Sequence, residues 1–199
     1  TLKSGRIAPY FLNVGSFYTG EALTKLGDFY AQALINSGVE VDVVFGPAYK
    51  GIPLATTTTS ILYSKYNKNL AYSFNRKKMK DYGQKDNVVG SPLDENTKIM
   101  LIDDVITAGT AIRETVDFLK EYGDPKITGI LISLDRMEKT NEGESAISQL
   151  EKQLDTKVYP IVNLDEVIEV LYNQEIDGQI YIDDEKMEII KKYREEYGV

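Results

Sequence analysis

Apolar positions along the chain follow two patterns, helical repeats and short continuous runs. Helical spacing predicts helices from Leu23 to a stop at Gly38, over residues 52–66, and through Ile112, Val116 and Leu119. It also predicts helices from about Asn141, from about Leu164 and over residues 183–197. Continuous apolar runs predict buried strands at residues 41–45, 70–74, 99–102, 127–134 and 158–162. Strands that alternate with helices are typical of an α/β fold with a mainly parallel sheet flanked by helices.

The segment from residue 98 to residue 111 carries the strongest functional signal. Its predicted strand ends at Asp103 and Asp104, and a loop of small residues, Thr107-Ala-Gly-Thr110, leads into a helix. Open α/β sheets bind ligands at the carboxyl ends of strands, and helix N-termini bind phosphate. Two carboxylates beside a phosphate need a ribose diol or hydrated Mg²⁺ between them. The segment therefore predicts a sugar phosphate site, although an isolated Asp pair more often caps a helix or faces solvent.

Two basic segments follow other predicted strands. In Phe45-Gly-Pro-Ala-Tyr-Lys-Gly51, the glycines let the backbone approach a ligand, and Lys50 supplies a positive charge. Residues 76–80 hold four basic side chains, and the polar stretch after them predicts a mobile loop at about 77–90. The non-functional alternative for residues 45–51 is an ordinary turn with a solvated lysine. For residues 76–80 it is a charged surface in contact with solvent.

Composition limits the classes of function. The 199 residues are expected to form a single domain, 1–199, with a net charge of −8 that argues against nucleic-acid binding. The chain has no cysteine, no signal peptide and no long apolar run, which predicts a cytoplasmic protein without membrane association. It also has no histidine, so acid–base chemistry would fall to carboxylates, lysine, tyrosine or solvent. The chain contains neither a glycine-rich dinucleotide motif nor a Walker lysine loop.

The stretch from Ile99 to Thr110 resembles the phosphoribosyl pyrophosphate (PRPP) motif of the type I phosphoribosyltransferases. Residues 1–11, 45–53, 74–81 and 134–136 are similar to segments of the orotate phosphoribosyltransferase family, in the same order. The resemblance implies a type I phosphoribosyltransferase fold with a small hood subdomain formed largely by the N-terminal region, and a chain start before Thr1. It also implies Mg²⁺-dependent transfer of 5-phosphoribosyl from PRPP to orotate, giving orotidine 5′-monophosphate and pyrophosphate for pyrimidine biosynthesis. The expected assembly is a homodimer with shared active sites.

The same resemblance assigns roles to individual residues. The catalytic residues it implies are Lys80, Asp103 and Asp104. The PRPP-binding residues it implies are Lys3, Tyr49, Lys50, Arg76, Lys77, Lys80, Tyr82, Asp103, Asp104, Val105, Ile106, Thr107, Ala108, Gly109, Thr110 and Ala111. The orotate-binding residues it implies are Lys3, Phe11, Leu12, Thr107 and Arg136. Mg²⁺ would be bound mainly through PRPP and water, near Asp103 and Asp104.

One position departs from the family pattern, and two other functions stay open. Tyr82 occupies a loop position where the family commonly has histidine, and a phenol carries no positive charge near neutral pH. A phosphoribosyltransferase for another nucleobase would keep Asp103 and Asp104, but Lys3 and Arg136 argue against it. A non-catalytic PRPP-binding regulator could lose the basic segment 76–80, which is intact here.

Overall fold

Six strands form the main sheet in the computed structural model, which describes residues 5–77, 87–106, 109–140 and 142–199. They are β1 (Val43–Phe45), β2 (Ala71–Asn75), β3 (Val88–Gly90), β4 (Lys98–Val105), β5 (Lys126–Asp135) and β6 (Val158–Asn163). Their order across the sheet is β3-β2-β1-β4-β5-β6, and every neighbouring pair is parallel except β2 and β3. A separate antiparallel pair joins β7 (Glu175–Ile176) to β8 (Gln179–Ile180). The mainly parallel sheet confirms the predicted fold class.

Helices follow most strands, as the apolar spacing predicts. They are α1 (Gly20–Ser37), α2 (Gly51–Tyr66), α3 (Thr110–Leu119), α4 (Ala146–Leu154), α5 (Leu164–Leu171) and α6 (Asp184–Tyr197). Short 3-10 turns occur at Val14–Ser16 and Lys120–Tyr122. Helix α5 begins with a capping box, in which Asn163 and Glu166 each accept a hydrogen bond from the other's backbone N–H. In the described ranges, no helix combines the length and the apolar character that crossing a membrane requires.

The sheet is covered on both faces, which explains why its central strands are continuously apolar. Met100 and Ile102 of β4 pack with residues of α1 and α2 in one buried cluster. Ile99 and Leu101, which point the other way, pack with Ile112 of α3 in a second cluster. A strand buried on both faces needs apolar residues at every position rather than at alternate ones.

A third, smaller cluster joins the two ends of the chain. Its buried members are Ile182, Met187 and Ile190, and the partly buried ring of Tyr10 packs against them. Most of this cluster comes from the C-terminal region. The N-terminal segment thus contacts the C-terminal part of the chain, including α6.

Three element boundaries differ from the sequence expectations. Strand β4 continues through Asp103 and Asp104, because its pairing with β5 extends to Val105. Helix α4 begins at Ala146 rather than near Asn141, because Ser145 caps its N-terminus. The segment predicted as a loop at 77–90 ends earlier than expected, since residues 88–90 form β3.

Candidate active site

Four loops with candidate site residues leave the same edge of the sheet. Parallel pairing aligns Phe45 of β1 with both Ser73 of β2 and Leu101 of β4, and it aligns Val105 with Leu134 of β5. The carboxyl ends of these strands therefore lie at one edge, where α/β proteins bind ligands. The loop after β1 carries Lys50, the loop after β2 carries Arg76 and Lys77, and the loop after β5 carries Arg136. The end of β4 carries the two aspartates.

Asp104 forms a close ion pair with Lys50. The Lys50 Nζ donates to Asp104 Oδ2 at 2.6 Å, and the Val105 N–H donates to Asp104 Oδ1 at 2.9 Å. Asp104 is only 6% exposed, whereas more than half of the Lys50 side chain faces solvent. The acid pair at the end of β4 and the Lys50 loop after β1 are therefore in direct contact, although they belong to different strands.

Asp103 is the most perturbed carboxyl group of this site. Burial, and after it the neighbouring charge of Asp104, raise its pKa from 3.8 to about 6. The nearby Lys50 charge opposes this rise. Its Oδ1 accepts the Asp104 N–H at 2.8 Å, which holds the side chain beside the backbone. A carboxyl group with a raised pKa at the ligand-binding edge of a parallel sheet is a strong candidate for function.

Tyr30 holds the backbone at Asp103 in place through a hydrogen bond. Its hydroxyl donates to the Asp103 carbonyl oxygen at 2.8 Å and lies 2.5 Å from Ser133 Oγ. The ring is completely buried between α1 and the sheet, and this burial raises the pKa of its phenol. Tyr30 therefore stays protonated and fixes the point where β4 delivers its carboxylates.

The loop after β1 is tight because two glycines pack against each other. A Cβ atom on Gly46 would lie 2.0 Å from the Gly51 carbonyl oxygen, so no larger residue fits there without backbone movement. The Ala48 N–H donates to Asn75 Oδ1 at 2.9 Å, which ties this loop to the end of β2. The Ala48–Tyr49 peptide bond is cis, and Tyr49 is largely exposed. The loop thus presents Tyr49 and Lys50 at the edge of the sheet.

The loop after β4 enters α3 through a left-handed backbone conformation, which favours glycine. Gly109 has a φ of 70° and directly precedes the helix. Thr110 and Ala111 are exposed in the first turn, whereas the Ile106 side chain is buried in the core, so only its backbone can face a ligand. Thr107 and Ala108 lie outside the described residues.

The basic segment begins directly after β2. Arg76 and Lys77 are exposed, and the Arg76 N–H donates to the Asn87 carbonyl oxygen at 2.7 Å. This bond joins the two ends of the predicted active-site loop. Lys80 and Tyr82, which were assigned to the PRPP site, lie outside the described residues.

Arg136 is buried rather than placed in a surface salt bridge. It is 4% exposed, and its Nε and Nη2 donate to Glu138 Oε1 at 3.0 and 2.6 Å. Its guanidinium carbon lies 4.9 Å from the centre of the Tyr10 ring. Phe11, the residue after Tyr10, is exposed, and Leu12 is partly buried. Lys3, also predicted for the base, lies outside the described residues.

Sequence reasoning missed several residues that support the site. Tyr30 has the helical spacing of an ordinary core residue, and Asn75 is a single polar residue at a strand end. Glu138 and Tyr193 belong to none of the motifs, and Tyr10 lies in the family-like segment 1–11 without an assigned role. A weak local signal existed only for Glu138, a carboxylate two positions after Arg136. The remaining contacts join distant parts of the chain.

Comparison with known proteins agrees with this geometry. A family model described as the phosphoribosyl transferase domain matches residues 13–162. An orotate phosphoribosyltransferase from Proteus mirabilis is 48% identical over 199 residues, which span 100% of this chain and 89% of that protein. One from Pseudoalteromonas translucida is 50% identical with the same coverage.

A solved structure extends the likeness to three dimensions. The crystal structure of an orotate phosphoribosyltransferase from Francisella tularensis matches with a TM-score of 0.82 and 40% identity. The match covers 100% of this chain and 91% of that one. Sequence and structure therefore agree over the whole length: the chain belongs to the orotate phosphoribosyltransferase family and has the type I phosphoribosyltransferase fold.

Proposed function

We propose that the chain transfers the 5-phosphoribosyl group from PRPP to a ring nitrogen of orotate, in a reaction that requires Mg²⁺. The products are orotidine 5′-monophosphate and pyrophosphate. The observation that carries this proposal is the carboxylate pair at the end of β4, tied to Lys50 and followed by the N-terminus of α3. This arrangement offers hydrogen-bond acceptors for a ribose diol beside backbone donors for a phosphate.

The carboxylates bind the ribose in this proposal. Asp103 and Asp104 accept hydrogen bonds from its hydroxyl groups, and the N–H groups after Gly109 bind the 5-phosphate. When the bond to pyrophosphate breaks, positive charge develops on the ribose ring. Negative carboxylates held by the backbone stabilise that charge without having to reorganise.

Positive side chains stabilise the leaving pyrophosphate. Lys50 and the basic segment, Arg76, Lys77 and Lys80, supply these charges. In the free protein Lys50 is bound to Asp104, so pyrophosphate and Asp104 compete for its ammonium group. The exposure of Lys50 lets it turn toward a ligand while Asp104 keeps its backbone hydrogen bond.

The donor set also fits Mg²⁺ held largely by the substrate. Within residues 5–77, 87–106, 109–140 and 142–199, no group of three or more acidic side chains forms a metal cage. Asp103 and Asp104 offer hard carboxylate oxygens, which suit a cation whose other ligands are PRPP oxygens and water. Bound Mg²⁺ would neutralise charge on the pyrophosphate.

No nucleophilic side chain is required, because orotate attacks the ribose directly. The protein positions the two reactants and excludes competing water. Arg136 binds the orotate carboxylate, which a guanidinium fork recognises well, and backbone groups at Phe11 and Leu12 bind the imide edge together with Lys3 and Thr107. The resemblance to the family supports these base contacts.

The assembly in this proposal is a homodimer in which the loop with Lys80 and Tyr82 reaches the neighbouring active site. The family resemblance supports it, and the cysteine-free composition supports a cytoplasmic location. Dilution to monomers should then abolish activity, which analytical ultracentrifugation alongside turnover measurements would test.

The first experiment mixes purified protein with PRPP, Mg²⁺ and orotate and follows the loss of orotate ultraviolet absorbance. Hypoxanthine and uracil serve as parallel bases, and excess EDTA serves as the metal-free control. Turnover with orotate alone, abolished by EDTA, is the expected result. Turnover only with another base would contradict the base assignment, and PRPP binding without any turnover would favour a regulator.

A further inference from the structure

Glu138 lies at the centre of a buried polar cluster that connects both ends of the chain to Arg136. Its Oε1 accepts hydrogen bonds from Arg136, from the Tyr10 hydroxyl at 3.0 Å and from the Tyr193 hydroxyl at 3.2 Å. Its Oε2 lies 3.7 Å from Arg6 Nη1. The Glu138 side chain is 11% exposed, so these contacts are shielded from most of the solvent.

The contacts with Glu138 fix the plane of the Arg136 guanidinium. Nε and Nη2 donate to the same carboxylate oxygen, which holds one edge of the planar group. The Tyr10 ring lies against its face, with 4.9 Å between the guanidinium carbon and the ring centre. Glu138 binds the Nε/Nη2 edge of the guanidinium, so a second carboxylate would have to bind the Nη1/Nη2 edge. This edge has the geometry that binds a carboxylate through two parallel hydrogen bonds.

Helix α6 holds Glu138 in this position. Tyr193 of α6 donates to the carboxylate, and its ring meets Tyr10 edge-on with 5.7 Å between ring centres. Burial of Tyr10 and the charge of Glu138 raise the pKa of the Tyr10 phenol, so it remains a donor over the physiological pH range. The carboxylate is thus held by two phenols from opposite ends of the chain.

We propose that Glu138, held by Tyr10 and Tyr193, is a positioning residue that orients Arg136 toward the carboxylate of orotate. The inference rests on the proposed role of Arg136 in base binding. It makes α6, which supplies none of the predicted site residues, a determinant of base affinity. In the alternative, purely structural role, Glu138 would only link the N-terminal and C-terminal segments and would not affect base binding specifically.

The test compares Glu138→Gln and Tyr193→Phe with the wild-type enzyme in steady-state kinetics. Glu138→Gln keeps the shape but removes the charge, and Tyr193→Phe keeps the ring but removes one donor. Loss of a charge-assisted hydrogen bond predicts that the KM for orotate rises about tenfold in Glu138→Gln, and about threefold in Tyr193→Phe. The KM for PRPP and the inhibition constant of uracil, which lacks the carboxylate, should stay within about twofold.

Tyr197→Phe is the matched control, because Tyr197 lies on the same helix and its ring packs against Tyr193 at a tilt of 44° and beneath Arg6. It should leave the KM for orotate unchanged. An equal rise in the KM values of both substrates, or in uracil inhibition, would overturn the proposal, since the whole pocket would then have moved. An unchanged KM for orotate in both variants would overturn it as well.

Arg136→Ala separates this inference from the proposed function. If Arg136→Ala raises the KM for orotate and the Glu138 and Tyr193 variants do not, only the positioning role fails. If Arg136→Ala also leaves that KM unchanged, the base assignment itself is wrong. Thermal unfolding of each variant identifies any that fails to fold, and Tyr193→Phe retains the test should Glu138→Gln do so.

Discussion

Replacing Asp103 by asparagine should stabilise the folded protein at neutral pH while it impairs catalysis. Burial and the charge of Asp104 raise the pKa of Asp103 to about 6, so the folded state holds this carboxylate at an energetic disadvantage. Asparagine has nearly the same shape. Its side-chain oxygen can still accept the Asp104 N–H, which donates to Asp103 Oδ1 at 2.8 Å.

The size and sign of the effect follow from proton linkage. A pKa that rises from 3.8 to about 6 corresponds to about 3 kcal/mol lost from the free energy of unfolding when the carboxyl is ionised. Partial exposure of Asp103 reduces the expected gain in Asp103→Asn to about 2 kcal/mol. Between 3.8 and about 6 the folded state binds more protons than the unfolded state, so this contribution to stability falls as pH rises.

Urea unfolding without substrates or Mg²⁺, followed by circular dichroism, measures the difference. Asp103→Asn should be more stable than wild type by about 2 kcal/mol at about pH 7.5, and the gap should close as pH falls toward about 4. The kcat should decrease about a hundredfold, as when a group that stabilises transition-state charge is removed.

Asp117→Asn provides the control for the chemical change. Asp117 is an exposed carboxylate in an ion pair with Lys120, so its replacement should alter stability by less than about 0.5 kcal/mol. An Asp103→Asn protein no more stable than wild type at neutral pH would refute the argument from burial. So would a gain that persists unchanged in acid.

Three further substitutions test the loops that we propose bind PRPP. Gly46→Ala should destabilise the fold by about 3 kcal/mol, because its Cβ would lie 2.0 Å from a backbone oxygen, whereas Gly20→Ala, with open space, should be neutral in urea unfolding. Lys50→Ala should raise the KM for PRPP at least about tenfold and lower stability by about 1 kcal/mol, because Asp104 loses its partner; an unchanged KM would contradict the proposed role. Lys80→Ala should lower kcat about a hundredfold in the orotate absorbance assay, and full turnover would show that the loop does not contribute.

Most of the fold was predictable because its elements are defined by local patterns. The apolar run at 99–102 and the helical repeat up to Gly38 each identify an element from residues close together in the chain. The short β3 was missed because three residues carry no measurable periodicity. Its pairing with β2 depends on the return of a distant segment.

The core of the site was predictable for a topological reason. In a parallel α/β sheet, residues that directly follow strands meet at one edge, so a pattern of strand, acid pair and loop indicates position as well as chemistry. The structure adds that the acid pair lies beside Lys50, through the 2.6 Å contact between Lys50 Nζ and Asp104 Oδ2. The local pattern alone predicted a sugar phosphate as the ligand, and the family resemblance narrowed this prediction to PRPP with orotate.

By itself, the sequence determined the α/β class, the order of the elements and the chemistry at the strand ends, because those depend on residues adjacent in the chain. Only the tertiary structure decided which side chains support that chemistry. Tyr30 reaches Asp103 across 73 positions, and Tyr10 reaches Glu138 across 128. Such contacts depend on how helices pack over the sheet and on how the two ends of the chain meet. No local repeat encodes them, and the raised pKa of Asp103 arises from the same packing.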